Sequence, residues 1–213
     1  LNTVETASVM YSNCTNMVVP LVIGIWGEDW VMYVTCYSIV QTILVWTHAR
    51  ILISGKKEIS LRDLLCNVNI LAIAIGLFVF QIRLPAVIRS AFAMAGNTMG
   101  PVAMLIIGML MADMDMQHLR SYRQLWKPVL LRLIVLPVIL VCVAKYSGLA
   151  ALAPHGETLI IISLLSVIAP SANIVTQFSQ MFGRDALYAS LINTVTMLLC
   201  IITMPLMITL FQM

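Results

Sequence analysis

Charge is scarce in this chain. Asp, Glu, Lys and Arg make up 10% of its 213 residues, against roughly 25% in a soluble domain. Hydrophobic residues reach 61% and mean hydropathy is +1.00. That leaves too little polar surface to cover a water-soluble globule, and places the chain in a bilayer. The net charge is +3, with no basic patch interleaved with aromatics, which gives no support for nucleic-acid binding. There is no CxxC pair: Cys14, Cys36, Cys66, Cys142 and Cys200 all sit in apolar stretches and read as small packing residues. His48, His118 and His155 lie far apart, and no HExxH, nucleophile elbow or phosphate loop occurs. Nothing therefore argues for an enzyme, a metal site or a cofactor. No signal-peptide pattern is present, and Leu1 already lies within an apolar segment, so an N-terminally incomplete chain is expected.

What the chain does have is spans. A membrane helix needs ~20 mostly apolar residues. Candidates run over 2–26, 30–49, 64–81, 88–112, 128–146, 158–182 and 187–211, bordered by Gly27, Gly55, Pro85, Pro128, Gly148 and Gly183. This predicts an all-α polytopic membrane protein with seven segments. Loops 50–63 and 113–127 and the turn 183–186 fall on one side with eight cations, and the opposite side has Arg83, Arg89 and Lys145. The richer side is predicted to be cytoplasmic. The carboxy terminus and the Glu28-Asp29 turn then lie outside.

Two of these segments are poor membrane helices in the middle. The first carries Tyr11-Ser12-Asn13-Cys14-Thr15-Asn16, with Pro20 a turn later. The second carries Ala169-Pro170-Ser171-Ala172-Asn173. Each is followed by an aromatic-Gly-x-Asp turn, Trp26-Gly27-Glu28-Asp29 in one copy and Phe182-Gly183-Arg184-Asp185 in the other. Gly suits a helix end and Asp the following N-cap, so turn chemistry alone can generate such a match. The first broken segment runs inside to outside and the second outside to inside, which is the pattern of an inverted-topology repeat. A break here frees backbone groups near the bilayer midplane, tolerated only within protein or beside a water-filled cavity. Half-helices starting at Asn13 and Ser171 would turn N–H groups and partial positive charge toward that point. The plainer reading is a proline kink plus polar side chains that join helices.

These residues resemble the auxin efflux carrier family, which includes the plant PIN auxin carriers and bacterial permeases described as malate or organic-acid carriers. The resemblance rests on Ser12-Asn13 with Pro20, and on Pro170 followed by Phe182-Gly183-Arg184-Asp185. Residues 84–115 with Gly96, Pro101 and Gly108, and "LLRLIVLP" at 130–137, are similar to the family's seventh and eighth helices. Gln41 and Thr47 match polar positions of its fifth. The resemblance implies ten helices in two inverted five-helix repeats, of which helices four to ten remain here. Residues 1–50 would close the first repeat, 51–63 would be a cytoplasmic loop, and 64–213 the second repeat. It further implies an elevator-type secondary carrier of small organic anions, such as malate-like dicarboxylates, that dimerises in the bacterial inner membrane. The chain departs from the family at Thr15 and Val18, where Gly is frequent; bulkier residues there would narrow the approach to the crossing.

The expected substrate-binding residues are Ser12, Asn13, Thr15, Asn16 and Gln41 from the first copy. Pro170, Ser171, Asn173 and Gln177 come from the second. Asn13 and Asn173 are the expected carboxylate donors, and Pro20 and Pro170 would keep the backbone from closing into regular helices. Asp113 and Asp115 read as a solvated helix end. Glu5 is an embedded carboxylate that either couples transport or reaches water near the inner face. Arg132, a turn into its helix, either snorkels or draws anions toward the inner cavity. The alternatives are a seven-helix receptor or sensor, and a fragment unable to transport.

Overall fold

The computed structural model describes residues 1–55, 68–79, 84–112, 123–152 and 154–212. The described chain is helical, joined at one point by a single antiparallel backbone bridge. Helix α1 is Thr3–Met10, α2 is Cys14–Trp26, and α3 is the long span Glu28–Ser54. Helices α4 (Val68–Val79) and α5 (Ala86–Ala112) follow. Then come α6 (Trp126–Tyr146), α7 (Gly156–Ile168), α8 (Asn173–Met181) and α9 (Ala186–Gln212). Among the described residues, α3, α6 and α9 are long and apolar enough to cross a membrane, and α2 and α7 are shorter apolar helices.

Local chemistry accounts for several of the ends. A capping box opens α1: the Asn2 side chain accepts from the Glu5 N–H, and the Glu5 carboxylate accepts from the Asn2 N–H, each at 2.8 Å. Gly27 and Gly183 end their helices at φ +96° and +62°, a backbone region that L side chains rarely adopt. Asp185 then caps α9 by accepting from the Tyr188 N–H at 2.8 Å. Its counterpart Asp29 behaves differently. It lies inside the 3-10 turn Glu28–Trp30 that opens α3, where Gly27 holds the capping position and no side chain caps the end.

Polarity is turned inside out. Glu5, Ser12, Asn13, Arg132, Ser171, Asn173, Asn193 and Thr196 are buried. Large apolar side chains such as Met32, Val40, Phe92, Leu105, Leu198 and Ile202 face outward. A soluble protein does the reverse. Here hydrocarbon wets the outside, and the polar groups can find partners only within the bundle. The core that holds them is built from α1, α2, α3, α6, α7, α8 and α9, with Phe178, Ile168, Leu165 and Ile192 fully enclosed.

Candidate functional site

The two interruptions meet. Helix α1 ends at Met10 and α2 starts at Cys14; α7 ends at Ile168 and α8 starts at Asn173. Between them the chains lie antiparallel, with Ser12 opposite Ser171. The Asn13 N–H donates to the Pro170 carbonyl at 2.8 Å, and the Ala172 N–H donates to the Tyr11 carbonyl at 3.0 Å. Each break thus satisfies backbone groups of the other, which regular helices in hydrocarbon could not leave open. Pro170 has no N–H to offer an α-helix, and its carbonyl is the acceptor for Asn13. The second half-helix starts at Asn173 rather than Ser171, because residues 170–172 are extended to make this bridge.

Four half-helix ends converge here, and they are treated differently. The carbonyl ends of α1 and α7 belong to Arg132. Its guanidinium donates to the Val9 carbonyl, to Ala169 through Nε and Nη2 at 3.1 and 2.8 Å, and to Val167 at 2.9 Å. Arg132 is 3% exposed, so it does not snorkel. The physical reason is that two sets of orphan carbonyls, each worth about half a negative charge, need donors in the core. One full positive charge offsets both. The N–H ends of α2 and α8 have no such anionic partner among the described residues, and they leave the crossing with partial positive charge.

Around those N–H ends sits a cluster of amides and hydroxyls. The Asn173 Oδ1 accepts from Asn13 Nδ2 at 3.3 Å and from Asn193 Nδ2 at 2.6 Å. Ser171 N–H donates to the Thr196 hydroxyl at 3.2 Å. Four buried polar atoms of this region have no partner: Ser171 Oγ, Asn173 Nδ2, Thr176 Oγ1 and Asn193 Oδ1. Buried polar groups are nearly always paired, and an orphan marks a missing partner such as a ligand or water. Three of the four can donate.

Gln41 on α3 braces the first break. The Ser12 hydroxyl donates to its Oε1 at 2.6 Å, and its Nε2 donates back to the Ser12 carbonyl. Beside this brace a cavity of about 350 Å³ is lined by Met10, Tyr11, Tyr37, Val40, Gln41, Leu44 and His48. That volume lies in the range of small-molecule sites, roughly 300–1,000 Å³.

Of the sequence-predicted residues, Ser12, Asn13, Gln41, Pro170, Ser171 and Asn173 are brought together. Thr15 turns to α3, where its hydroxyl donates to Ser38 at 3.1 Å. Asn16 and Gln177 are half-buried, a turn into α2 and α8, and neither hydrogen-bonds to the cluster among the described residues. Val18 is fully buried in the core. Asp113 and Asp115 lie outside the described residues. Sequence reasoning missed Asn193, Thr196 and the role of Arg132. The run Asn193-Thr194-Val195-Thr196 within an apolar span was a usable signal.

An apolar-surfaced helical bundle with a polar core and two interrupted helices meeting inside it is a multi-pass membrane protein. A family model described as membrane transport protein matches residues 56–208, and the chain belongs to that family, the one whose auxin efflux carriers its motifs resemble. The match includes the second break; the first lies upstream of it. Neither the curated proteins nor the solved structures yielded a match.

Proposed function

We propose that the protein is a secondary-active carrier of small organic anions that binds a carboxylate at the crossing. The observation that carries this reading is the asymmetry of the crossing. Its carbonyl ends are offset by Arg132, while its N–H ends face buried donors without partners, Ser171 Oγ, Asn173 Nδ2 and Thr176 Oγ1. Helix N-termini with neutral donors suit an anion without fixing a full counter-charge to it. A fixed cation would hold the substrate too firmly for release on the second side. Malate-like dicarboxylates are the proposed substrate class.

In this reading the seven segments are helices four to ten of an inverted five-plus-five repeat. The crossing unit moves as an elevator against a scaffold that forms a homodimer. Loops 50–63 and 113–127 are cytoplasmic, the carboxy terminus is extracytoplasmic, and the membrane is the bacterial inner membrane. Pro170 and the paired breaks keep the binding point open through the cycle.

The test is uptake of labelled malate by proteoliposomes containing the protein. Losing a hydrogen bond to a charged group costs ~1.5–3 kcal/mol. Asn13→Ala and Asn173→Ala are each expected to lower uptake about tenfold or more at sub-saturating malate. Equal uptake by wild type and both variants would remove the asparagines from the mechanism.

A further inference from the structure

The crossing leaves one buried carboxylate unused. Glu5 is 3% exposed. Its Oε1 accepts from the Tyr188 hydroxyl at 2.6 Å and its Oε2 from the Asn2 N–H at 2.8 Å. It forms no ion pair among the described residues. The titratable or charged groups on the elements packed most closely against α1 are few. On the segments that pack against α1, namely 50–54 of α3, 126–135 of α6, α8 and α9, they are Arg50, Lys127, Arg132, Tyr188 and Cys200, with His48 and Asp185 just outside those segments; α8 carries none. Arg132 is committed to three carbonyls, and His48 Nδ1 is paired with the Tyr11 hydroxyl at 2.8 Å. Lys127 is exposed and Arg50 half-buried. Of these groups, Tyr188 is the one that hydrogen-bonds to Glu5.

A second observation points the same way. Ser8 Oγ is buried and has no partner. Residues 5 and 8 are spaced i, i+3 and share one face of α1, whose carboxy-terminal end at Met10 adjoins the break. About 8 Å of helix separates Glu5 from that end, with the unpaired Ser8 hydroxyl between them. Ser12 in turn is held by Gln41 at the crossing. The half-helix that carries Glu5, which has no cation partner among the described residues, thus ends at the point where the anion is proposed to bind. Neutralising such a group takes a cation or a proton, and the described neighbours supply no cation.

We propose that Glu5 is the coupling-proton site of the carrier. On one side of the membrane its carboxylate takes a proton from water, forming an O–H bond as substrate enters. On the other side that bond breaks and the proton returns to water as substrate leaves. No electron is transferred. The proposal rests on the carrier reading above and names its coupling ion.

The experiment has two arms. Infrared titration of the detergent-purified protein follows the carbonyl band of a protonated carboxyl, in wild type and Glu5→Gln. Proteoliposomes with an internal pH dye then receive external malate, and malate counterflow is measured in parallel. Gln keeps the capping box at N3, so the variant retains the fold. Should Glu5→Gln not fold, Tyr188→Phe keeps the carboxylate and removes its donor, and must shift the pH at which the band appears. The expected result is a wild-type band missing in Glu5→Gln, together with counterflow retained while malate-driven acidification falls to that of protein-free vesicles. A band unchanged in Glu5→Gln, or wild-type acidification by that variant, overturns the proton site. An intact Glu5 band in a wild type that moves no malate counts for the proton site and against the carrier reading.

Discussion

A single guanidinium holds two helix ends together at the crossing. Arg132 offers four hydrogen bonds to three carbonyls from two half-helices. Met in its place would fill similar space and leave those carbonyls without donors. Leaving a buried carbonyl without a donor costs about 1–3 kcal/mol. Arg132→Met is therefore expected to unfold at clearly lower temperature, read by tryptophan fluorescence in detergent. Arg132→Lys keeps the charge but not the fork of donors, and should recover only part of that loss. This role was not legible in the sequence. A one-turn-deep arginine suggests snorkelling, because its partners are backbone carbonyls, and carbonyls carry no residue identity to read. Asn13 and Asn173 were legible for the opposite reason: an amide in a membrane segment has few uses other than pairing.

At the scale of elements, the two interruptions form a short antiparallel pair. Ser12 and Ser171 are flanked by the bonds from Asn13 to Pro170 and from Ala172 to Tyr11. That makes them a non-hydrogen-bonded pair, whose Cα atoms are about 4.5 Å apart. A disulfide spans about 4.4–6.8 Å between Cα atoms. The double variant Ser12→Cys with Ser171→Cys is expected to cross-link under mild oxidation, seen as altered gel mobility after cleavage between the two positions. Absence of the cross-link in folded protein would separate the breaks. The interruptions could be read from the sequence because polar residues and Pro170 stand out against hydrocarbon. Their register could not. Which residue faces which depends on backbone pairing, so the second half-helix starts at Asn173 rather than at the Ser171 expected from proline position. The Asp29 turn differs from its Asp185 counterpart for a similar local reason, since a 3-10 turn places Asp29 inside the first turn and Gly27 at the capping position.

For the whole molecule, the inversion of polarity decides what the fold is for. Apolar side chains face outward, while Glu5, Arg132 and the amides of Asn13, Asn173 and Asn193 are enclosed. Composition made the membrane class plain, since 10% charge cannot solvate a globule. It said little about how α9 contributes, because a 27-residue apolar span hides the two polar residues that reach the crossing, Asn193 and Thr196, among many equivalent faces. The central claim is that unpartnered donors at the crossing await an anion. Ser171 tests it most directly, because its hydroxyl is buried and unbonded. Removing an unsatisfied buried hydroxyl costs no stability and can add some. Calorimetric titration of malate into the purified protein, paired with thermal unfolding without ligand, should show Ser171→Ala at least as stable as wild type. The same variant should bind about tenfold more weakly. Unchanged affinity, with or without a loss of stability, would contradict the assignment of the crossing as the anion site.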